Sequence, residues 1–182
     1  MALDLSGLTQ DQQIAAAAAY AGVPESVVRG QWRVESANGQ AKRDADGVIR
    51  SHSGAQGDFQ VMPATQAVIE ARAGKRYNVR NFQDNLEMYA HIMRENMQMA
   101  KGDVTTALRI YQGGPNRKIW GKYNAAYAPA VLGGKSAPAP TQRGTAAVAS
   151  AQGALPPVTS LSDAWEGSGN MTDTTWSGAS IT

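Results

Sequence analysis

The sequence changes character at Gly133, and this change limits where a folded core can lie. Of the 50 residues from 133 to 182, 34 are Gly, Ala, Ser, Thr or Pro, and five carry a charge. Because such a segment has little apolar surface to bury, we predict an extended, low-complexity tail. Its large aromatic residues, Trp165 and Trp176, are its predicted anchors on a partner protein. The alternative is a flexible linker in which both tryptophans are incidental.

The first 132 residues consist of helical segments separated by clear start and stop signals. Thr9 and Gln12 form a capping box before an alanine-rich helix, which Gly22 ends. Pro24 is predicted to be the first residue of the next helix. Further helices are predicted to start at three positions: Pro63, Asn81 and Asp103.

These signals predict a mainly all-α fold with a small loop or β element. Period-two alternation is absent over any useful length, although residues 57–61 have the length of a short strand. We predict three units: an N-terminal alanine-rich helix at 1–22, a helical domain at 23–132 and the tail at 133–182. Whether the first helix packs on the domain or docks on a partner is left open.

Composition excludes several classes of protein. The chain has no cysteine, which rules out a disulfide scaffold, a zinc ribbon, an iron–sulfur site and thiol catalysis. Its net charge of +2 gives no dedicated nucleic-acid patch but suits an acidic polymer. The longest apolar run, residues 14–19, is far too short to span a membrane. No cationic region precedes this run, so we expect no signal peptide.

Glu35 is the first candidate for chemistry. It lies at the end of the helix that carries Trp32, and an aromatic neighbour reduces the water around a carboxyl group. Reduced solvation favours the protonated form, which a general acid needs at neutral pH. The alternative interpretation is a solvated glutamate at the end of a helix.

A second candidate is the polar segment from Ser51 to Thr65. Gly54 and Gly57 permit tight turns and close approach of a ligand to the backbone. Gln60 offers an amide to a cleft, and Phe59 and Met62 offer apolar surface against which a sugar ring packs. The plainer interpretation is a loop that leads into a helix beginning with proline.

The third candidate is the segment from Ile110 to Pro115. Tyr111 supplies a phenolic donor and Gln112 an amide, while the two glycines that follow leave the backbone open to a polymer. Here too there is a plainer interpretation, an ordinary helix end.

Taken in order, the three segments resemble the catalytic domain of soluble lytic transglycosylases, which are relatives of goose-type lysozyme. The family pattern is a Glu-Ser pair, then Ser-x-x-Gly-Ala-x-Gly-Leu-Met-Gln-x-Met-Pro-x-Thr, then a Tyr-Asn-Ala-Gly-Pro block. Glu35-Ser36, Ser51 to Thr65 and Tyr111 to Pro115 stand in those places. The resemblance covers about residues 23–131 and is far more specific than any one motif.

The resemblance implies a lysozyme-like helical domain that cleaves the β-1,4 bond between N-acetylmuramic acid and N-acetylglucosamine in peptidoglycan. In this family one glutamate, here Glu35, protonates the leaving oxygen and then accepts the proton of the C6 hydroxyl. That hydroxyl attacks C1, and a 1,6-anhydro product forms without water. The partner implied is a peptidoglycan strand, and neither a cofactor nor a metal is implied.

The resemblance also assigns residues that bind the substrate. Tyr111 would orient Glu35 and hold its proton, while Gln60 would bind an acetamido or hydroxyl group. Ser51 would contact the substrate near the reacting sugar. Met62 and Gln112 match positions that line the sugar site.

Two departures from the family pattern keep other functions open. Asp58-Phe59 replaces Leu-Met, and Gln112-Gly113 replaces Asn-Ala. If Asp58 lies near Glu35, it could serve as a general base for water, and the enzyme would be a hydrolytic muramidase. We favour the interpretation of Asp58 as a surface residue. A third reading is a structural tail or adaptor protein that has lost its catalytic activity.

The expected setting follows from the substrate, which lies outside the cytoplasmic membrane. A wall-cleaving protein without a signal peptide fits a bacteriophage virion component that is made in the host cytoplasm and acts in the periplasm during genome entry. The tail would then bind neighbouring virion proteins. A phage endolysin released through a holin is the second option.

Two minor features complete the prediction. His52 and His91 are too far apart to suggest a metal site, and both are predicted to lie on the surface. A basic cluster follows the third helix and is either a solvated face or a site of attraction for an anionic cell wall. Its members are Arg72, Lys75, Arg76 and Arg80.

Overall fold

The computed structural model describes residues 3–133, so the predicted tail, with Trp165 and Trp176, lies outside the described residues. Within this range the chain forms six α-helices and one short 3-10 helix, Arg117–Ile119. The α-helices are α1 (Gln10–Ala21), α2 (Glu25–Ser36), α3 (Pro63–Ala73), α4 (Phe82–Met99), α5 (Val104–Gly113) and α6 (Lys122–Gly133). The prediction of a mainly helical fold is confirmed.

The helices begin where their local sequence satisfies the free backbone N–H groups. The Thr9 hydroxyl accepts from the Gln12 N–H, and the Gln12 side chain accepts from the Thr9 N–H, which completes the capping box of α1. Asn81 and Asp103 cap α4 and α5 in the same way. Pro24 is the cap residue of α2 rather than its first helical residue, a shift of one position.

Helix α4 lies at the centre of the fold. It packs against α1, α3 and α5, and α6 completes the bundle by packing against α2 and α5. Leu86, Met88, Tyr89 and Met93 of α4 are fully buried, so this helix supplies much of the core. None of the helices within residues 3–133 is long and apolar enough to cross a membrane.

Helix α1 shares this core with residues 23–132. Ile14 and Ala17 are fully buried, and the Gln13 side chain donates to the Leu5 carbonyl at 3.2 Å and to Gln83 Oε1 of α4 at 3.1 Å. Alanine side chains allow the two helices to approach closely, and the buried amide is satisfied at both contacts. The structure therefore packs the first helix on the domain, and we describe residues 3–133 as one unit.

The long segment between α2 and α3 contains isolated β-bridges and no regular strand. The bridges join Arg43 to Ile49, Arg50 to Gln56, and Gln56 to Val61. Residues 57–61, which could have formed a short strand, do not form one. They form a tight turn, which the paired backbone bonds of Gln56 and Val61 close at 2.9 Å in each direction.

We predict that replacing Ile14 with Ala lowers the free energy of unfolding by about 2–5 kcal/mol, because a fully buried side chain is truncated. The matched control is Leu8→Ala, just before α1, where the side chain is exposed and the expected loss is below about 0.5 kcal/mol. Urea denaturation of both variants measures the difference. Equal small losses would show that α1 does not belong to the core.

Candidate active site

Glu35 lies in the last turn of α2, one residue before the helix ends at Ser36. The Ser36 hydroxyl donates to the Trp32 carbonyl at 3.1 Å and accepts from the Gly39 N–H at 3.0 Å. Ala37 then adopts a left-handed conformation with φ of 51°, which a residue with a side chain rarely takes. Strained backbone of this kind concentrates at functional sites. The turn begins the polar segment that contacts α2 again where Asp58 accepts from Trp32.

Three hydrogen bonds connect Glu35 to the centre of the core. The Tyr127 hydroxyl of α6 donates to Glu35 Oε1 at 2.5 Å. Gln31 Nε2 donates to the same hydroxyl at 3.1 Å, and the Tyr89 hydroxyl donates to Gln31 Oε1 at 2.8 Å. Gln31, Tyr89 and Tyr127 are buried, whereas Glu35 is half-buried. One oxygen of the carboxyl group is therefore held by a donor that is itself fixed in the core.

Tyr127 was missed as a site residue in the sequence. The resemblance assigned the phenol beside Glu35 to Tyr111, whose hydroxyl donates to the Phe59 carbonyl at 2.6 Å. The role of Tyr111 toward Glu35 stays a prediction. One signal for Tyr127 was present: a buried tyrosine needs a partner for its hydroxyl, and this one lies on a helix rich in alanine.

The predicted sugar-binding side chains Ser51 and Gln60 also hold their own loop together. Ser51 Oγ accepts from the Ala55 N–H at 3.0 Å. Gln60 is buried with φ of 51°, and its Nε2 donates to the carbonyls of Gly57 at 2.8 Å and Ile49 at 3.2 Å. Because that nitrogen is engaged, a contact between Gln60 and a sugar would fall to its carbonyl oxygen. Substrate binding by both residues stays a prediction.

Only one of the two apolar residues expected to face a sugar retains exposed surface. Phe59 is fully buried and stacks on Tyr89 with ring centroids 4.5 Å apart, so its predicted contact with substrate is wrong. Met62 is half-buried and is the cap residue of α3. It is the residue of this pair that stays available to a ligand.

The loop rests directly on α4 at Gly57. Its φ is 77°, and a Cβ added there would overlap the amide of Asn85, which is fully buried. The Asn85 Nδ2 is held by the carbonyl of Val79 at 2.8 Å, so this amide has little freedom to move away. Glycine is therefore required at this position by both conformation and space.

We predict that Gly57→Ala destabilises the protein by more than Gly54→Ala does. Both glycines have positive φ, but a Cβ at Gly54 would meet nothing within 4 Å, so that variant carries the conformational cost alone, about 1 kcal/mol. Thermal unfolding of the two variants measures the difference. Equal losses would mean that the contact with Asn85 is not a constraint.

Asp58 is buried, with an exposed fraction of 4%, so the favoured interpretation of it as a surface residue is wrong. Its Oδ1 accepts from Trp32 Nε1 at 3.1 Å, and a Cβ at Gly39 would lie 2.6 Å from the same oxygen. Trp32 and Glu35 are three residues apart on α2 and so lie on one face of the helix. Asp58 therefore packs against the same end of α2 as Glu35.

Gln112 belongs to a network at the end of α5. It is buried, and its Oε1 accepts from Asn124 Nδ2 at 3.0 Å. Asn124 also accepts from Arg109 Nε at 2.8 Å, which fixes α6 against α5. The indole of Trp120 covers Gly113, where an added Cβ would be 3.1 Å from the ring. The predicted contact of Gln112 with substrate stays a prediction.

The two histidines differ in environment. His52 is exposed, as predicted, whereas His91 is half-buried, which corrects its expected surface position. Tyr20 contacts His91 edge-on, with its hydroxyl 3.1 Å from Nδ1. Burial lowers the pKa of His91, because desolvation disfavours the charged ring. In residues 3–133, no three His, Asp or Glu side chains form a group suited to a metal ion.

Three of the four residues in the basic cluster at the end of α3 pair with acidic side chains, and the fourth, Arg80, contacts a backbone carbonyl. Arg72 pairs with Glu95, Lys75 with Glu87 at 2.7 Å, and Arg76 with Glu70 at 2.7 Å. Arg80 Nε donates to the Asp46 carbonyl at 2.6 Å. These contacts favour the interpretation of the cluster as a solvated face over attraction to an anionic wall.

Fold and site together define a class of protein. A helical domain holds one half-buried glutamate at a helix end, close in sequence to an aromatic residue and hydrogen-bonded to a tyrosine of another helix. A family model, the transglycosylase SLT domain, matches residues 12–131, about two thirds of the chain. The chain therefore belongs to the SLT transglycosylase family, whose members act on peptidoglycan. A search of curated proteins and a search of solved structures gave no match.

Proposed function

We propose that the protein cleaves the MurNAc–GlcNAc β-1,4 bond of peptidoglycan as a lytic transglycosylase, with Glu35 as its catalytic acid. The observation that carries this proposal is the hydrogen bond from Tyr127 to Glu35 inside the region that matches the family. It fixes one carboxyl oxygen of a residue that is half-buried. A general acid needs this arrangement, because the proton must be aimed at one atom of the substrate.

In the proposed reaction Glu35 acts first as an acid and then as a base. It donates its proton to the bridging oxygen as the bond from that oxygen to C1 breaks. The carboxylate then accepts the proton of the C6 hydroxyl while O6 bonds to C1, which restores the acid and yields the 1,6-anhydro ring. The acetamido group of the substrate can stabilise the positive charge at C1, so no second carboxylate is required, unlike in the usual paired-carboxylate scheme.

The charge of residues 104–133 supports binding of an anionic polymer. This stretch contains no acidic residue and four basic ones: Arg109, Arg117, Lys118 and Lys122. It includes the third sequence block, and Arg109 and Arg117 both lie over the Trp120 ring, at 4.5 and 5.6 Å from its centroid. Peptidoglycan carries carboxylates on its peptide stems, so this face complements the substrate.

We predict that Glu35→Gln abolishes fragment release from purified peptidoglycan, because the amide has no acidic proton to donate. Mass spectrometry of the fragments should detect anhydro-muramyl ends from the parent protein alone. Glu25→Gln is the matched control, since Glu25 is an exposed residue in the first turn of the same helix, and it should retain full activity. Undiminished release by Glu35→Gln would remove Glu35 from the mechanism.

The second candidate function is a hydrolytic muramidase. The observation that favours it is that Asp58 is buried against the end of α2 that carries Glu35. In that case the same spectra would contain reducing ends, heavier by one water. Asp58→Asn, which keeps an acceptor for Trp32, would then suppress release. If the parent protein instead releases anhydro products, Asp58→Asn should remain active. No fragments from any wall type, with the fold intact, would support a structural role.

For the setting, the proposal is a bacteriophage virion component that acts on the wall during genome entry. The composition of residues 133–182 supports it, because a segment poor in apolar residues is suited to lie along neighbouring proteins that supply the missing core. Mass spectrometry of virions purified from the source strain should find this chain. Its absence from clean particles, with its presence in the lysate, would favour an endolysin.

A further inference from the structure

The hydrogen-bond chain that ends at Glu35 has a fixed direction. An amide has a donor end and an acceptor end, and Gln31 presents its oxygen to Tyr89 and its nitrogen to Tyr127. Tyr89 must therefore donate to Gln31, and Gln31 must donate to the oxygen of Tyr127. Because that oxygen already accepts from Gln31, the proton of Tyr127 points to Oε1 of Glu35, 2.5 Å away.

The origin of this chain is rigid. Tyr89 is fully buried, stacks on Phe59 with centroids 4.5 Å apart, and lies 5.8 Å from the ring of Tyr111. Burial, with smaller contributions from Tyr111 and from the charge of Glu35, raises the pKa of Tyr89 well above that of an ordinary phenol. Its hydroxyl keeps its proton at every working pH and is a permanent donor.

We propose that Gln31 and Tyr89 are positioning residues that act through Tyr127 and hold its hydroxyl toward Oε1 of Glu35. This proposal rests on the proposed function, in which Glu35 is the catalytic acid. The proposal assigns a role to two buried residues that act on Glu35 through the hydroxyl of Tyr127.

The burial of the pair supports a dedicated role for Tyr89. Its hydroxyl bonds to Gln31 on α2, and both residues are fully buried. A neutral hydrogen bond between two buried groups adds little net stability. Stability alone therefore does not account for this pair, whereas a role in the site does.

The experiment compares Tyr89→Phe, which removes the hydroxyl alone, with Tyr77→Phe as the matched control. Tyr77 is also buried and donates to a side chain, Glu87, at 2.9 Å, but it has no link to the chain that ends at Glu35. The rate of fragment release by the full-length protein is measured at increasing substrate concentration, which gives kcat and KM for each variant. We expect Tyr89→Phe to lower kcat about 2- to 10-fold with KM unchanged, and Tyr77→Phe to leave both unchanged.

A double variant separates a positioning role for Tyr89 from a purely structural one. Tyr127→Phe should lower kcat further than Tyr89→Phe does, and adding Tyr89→Phe to it should have no additional effect, because the chain is already broken. A purely structural loss would instead multiply with the loss from Tyr127→Phe, and multiplicative losses in the double variant would overturn the proposal.

A second measurement needs no activity. The carboxyl carbon of Glu35 is assigned by comparison with Glu35→Gln, and its NMR chemical shift is measured at one fixed pH in the parent and in both tyrosine variants. We expect this chemical shift to change in Tyr89→Phe and to stay constant in Tyr77→Phe. A parent that cleaves no wall would defeat the proposed function, whereas an unchanged chemical shift in Tyr89→Phe would defeat the positioning role alone.

Discussion

The placement of one aromatic ring, that of Tyr89, determines how the rest of the site is arranged. This ring fills the centre of the bundle and stacks on Phe59, so it fixes the polar loop against α4. Its hydroxyl bonds to Gln31, which ties the same helix to α2. The positions of the polar loop and of Glu35 relative to α4 therefore depend on this ring. A change in its packing would displace them.

Features decided by a few neighbouring residues could be predicted from the sequence. The capping box at Thr9 and the caps at Asn81 and Asp103 set the helix starts within a turn, since each satisfies backbone groups three residues away. Glu35 became the candidate acid because a glutamate at a helix end, followed by two ordered blocks, is a local and specific pattern, and its catalytic role stays a prediction. The family match to residues 12–131 is consistent with that reading.

What the sequence did not reveal depends on contacts between distant residues. Tyr127 is 92 positions from Glu35, and only the packing of α6 on α2 brings them together. Asp58 looked like a surface residue because no local rule says that Trp32, 26 positions away, will cover it. Phe59 was expected to face a ligand for the same reason, since its burial comes from Tyr89 rather than from its own segment.

The position of α1 has a consequence for the order in which the molecule folds. Its buried amide, Gln13, is bonded to Gln83, 70 residues further along, so this helix leaves the ribosome long before its main partner α4 is made. Contacts between such distant segments form late, because a long loop must first be closed. Until then the inner face of α1 is in contact with water, and its alanines expose far less apolar surface than leucines would. The small side chains that allow close packing in the finished fold thus also protect the nascent chain from aggregation.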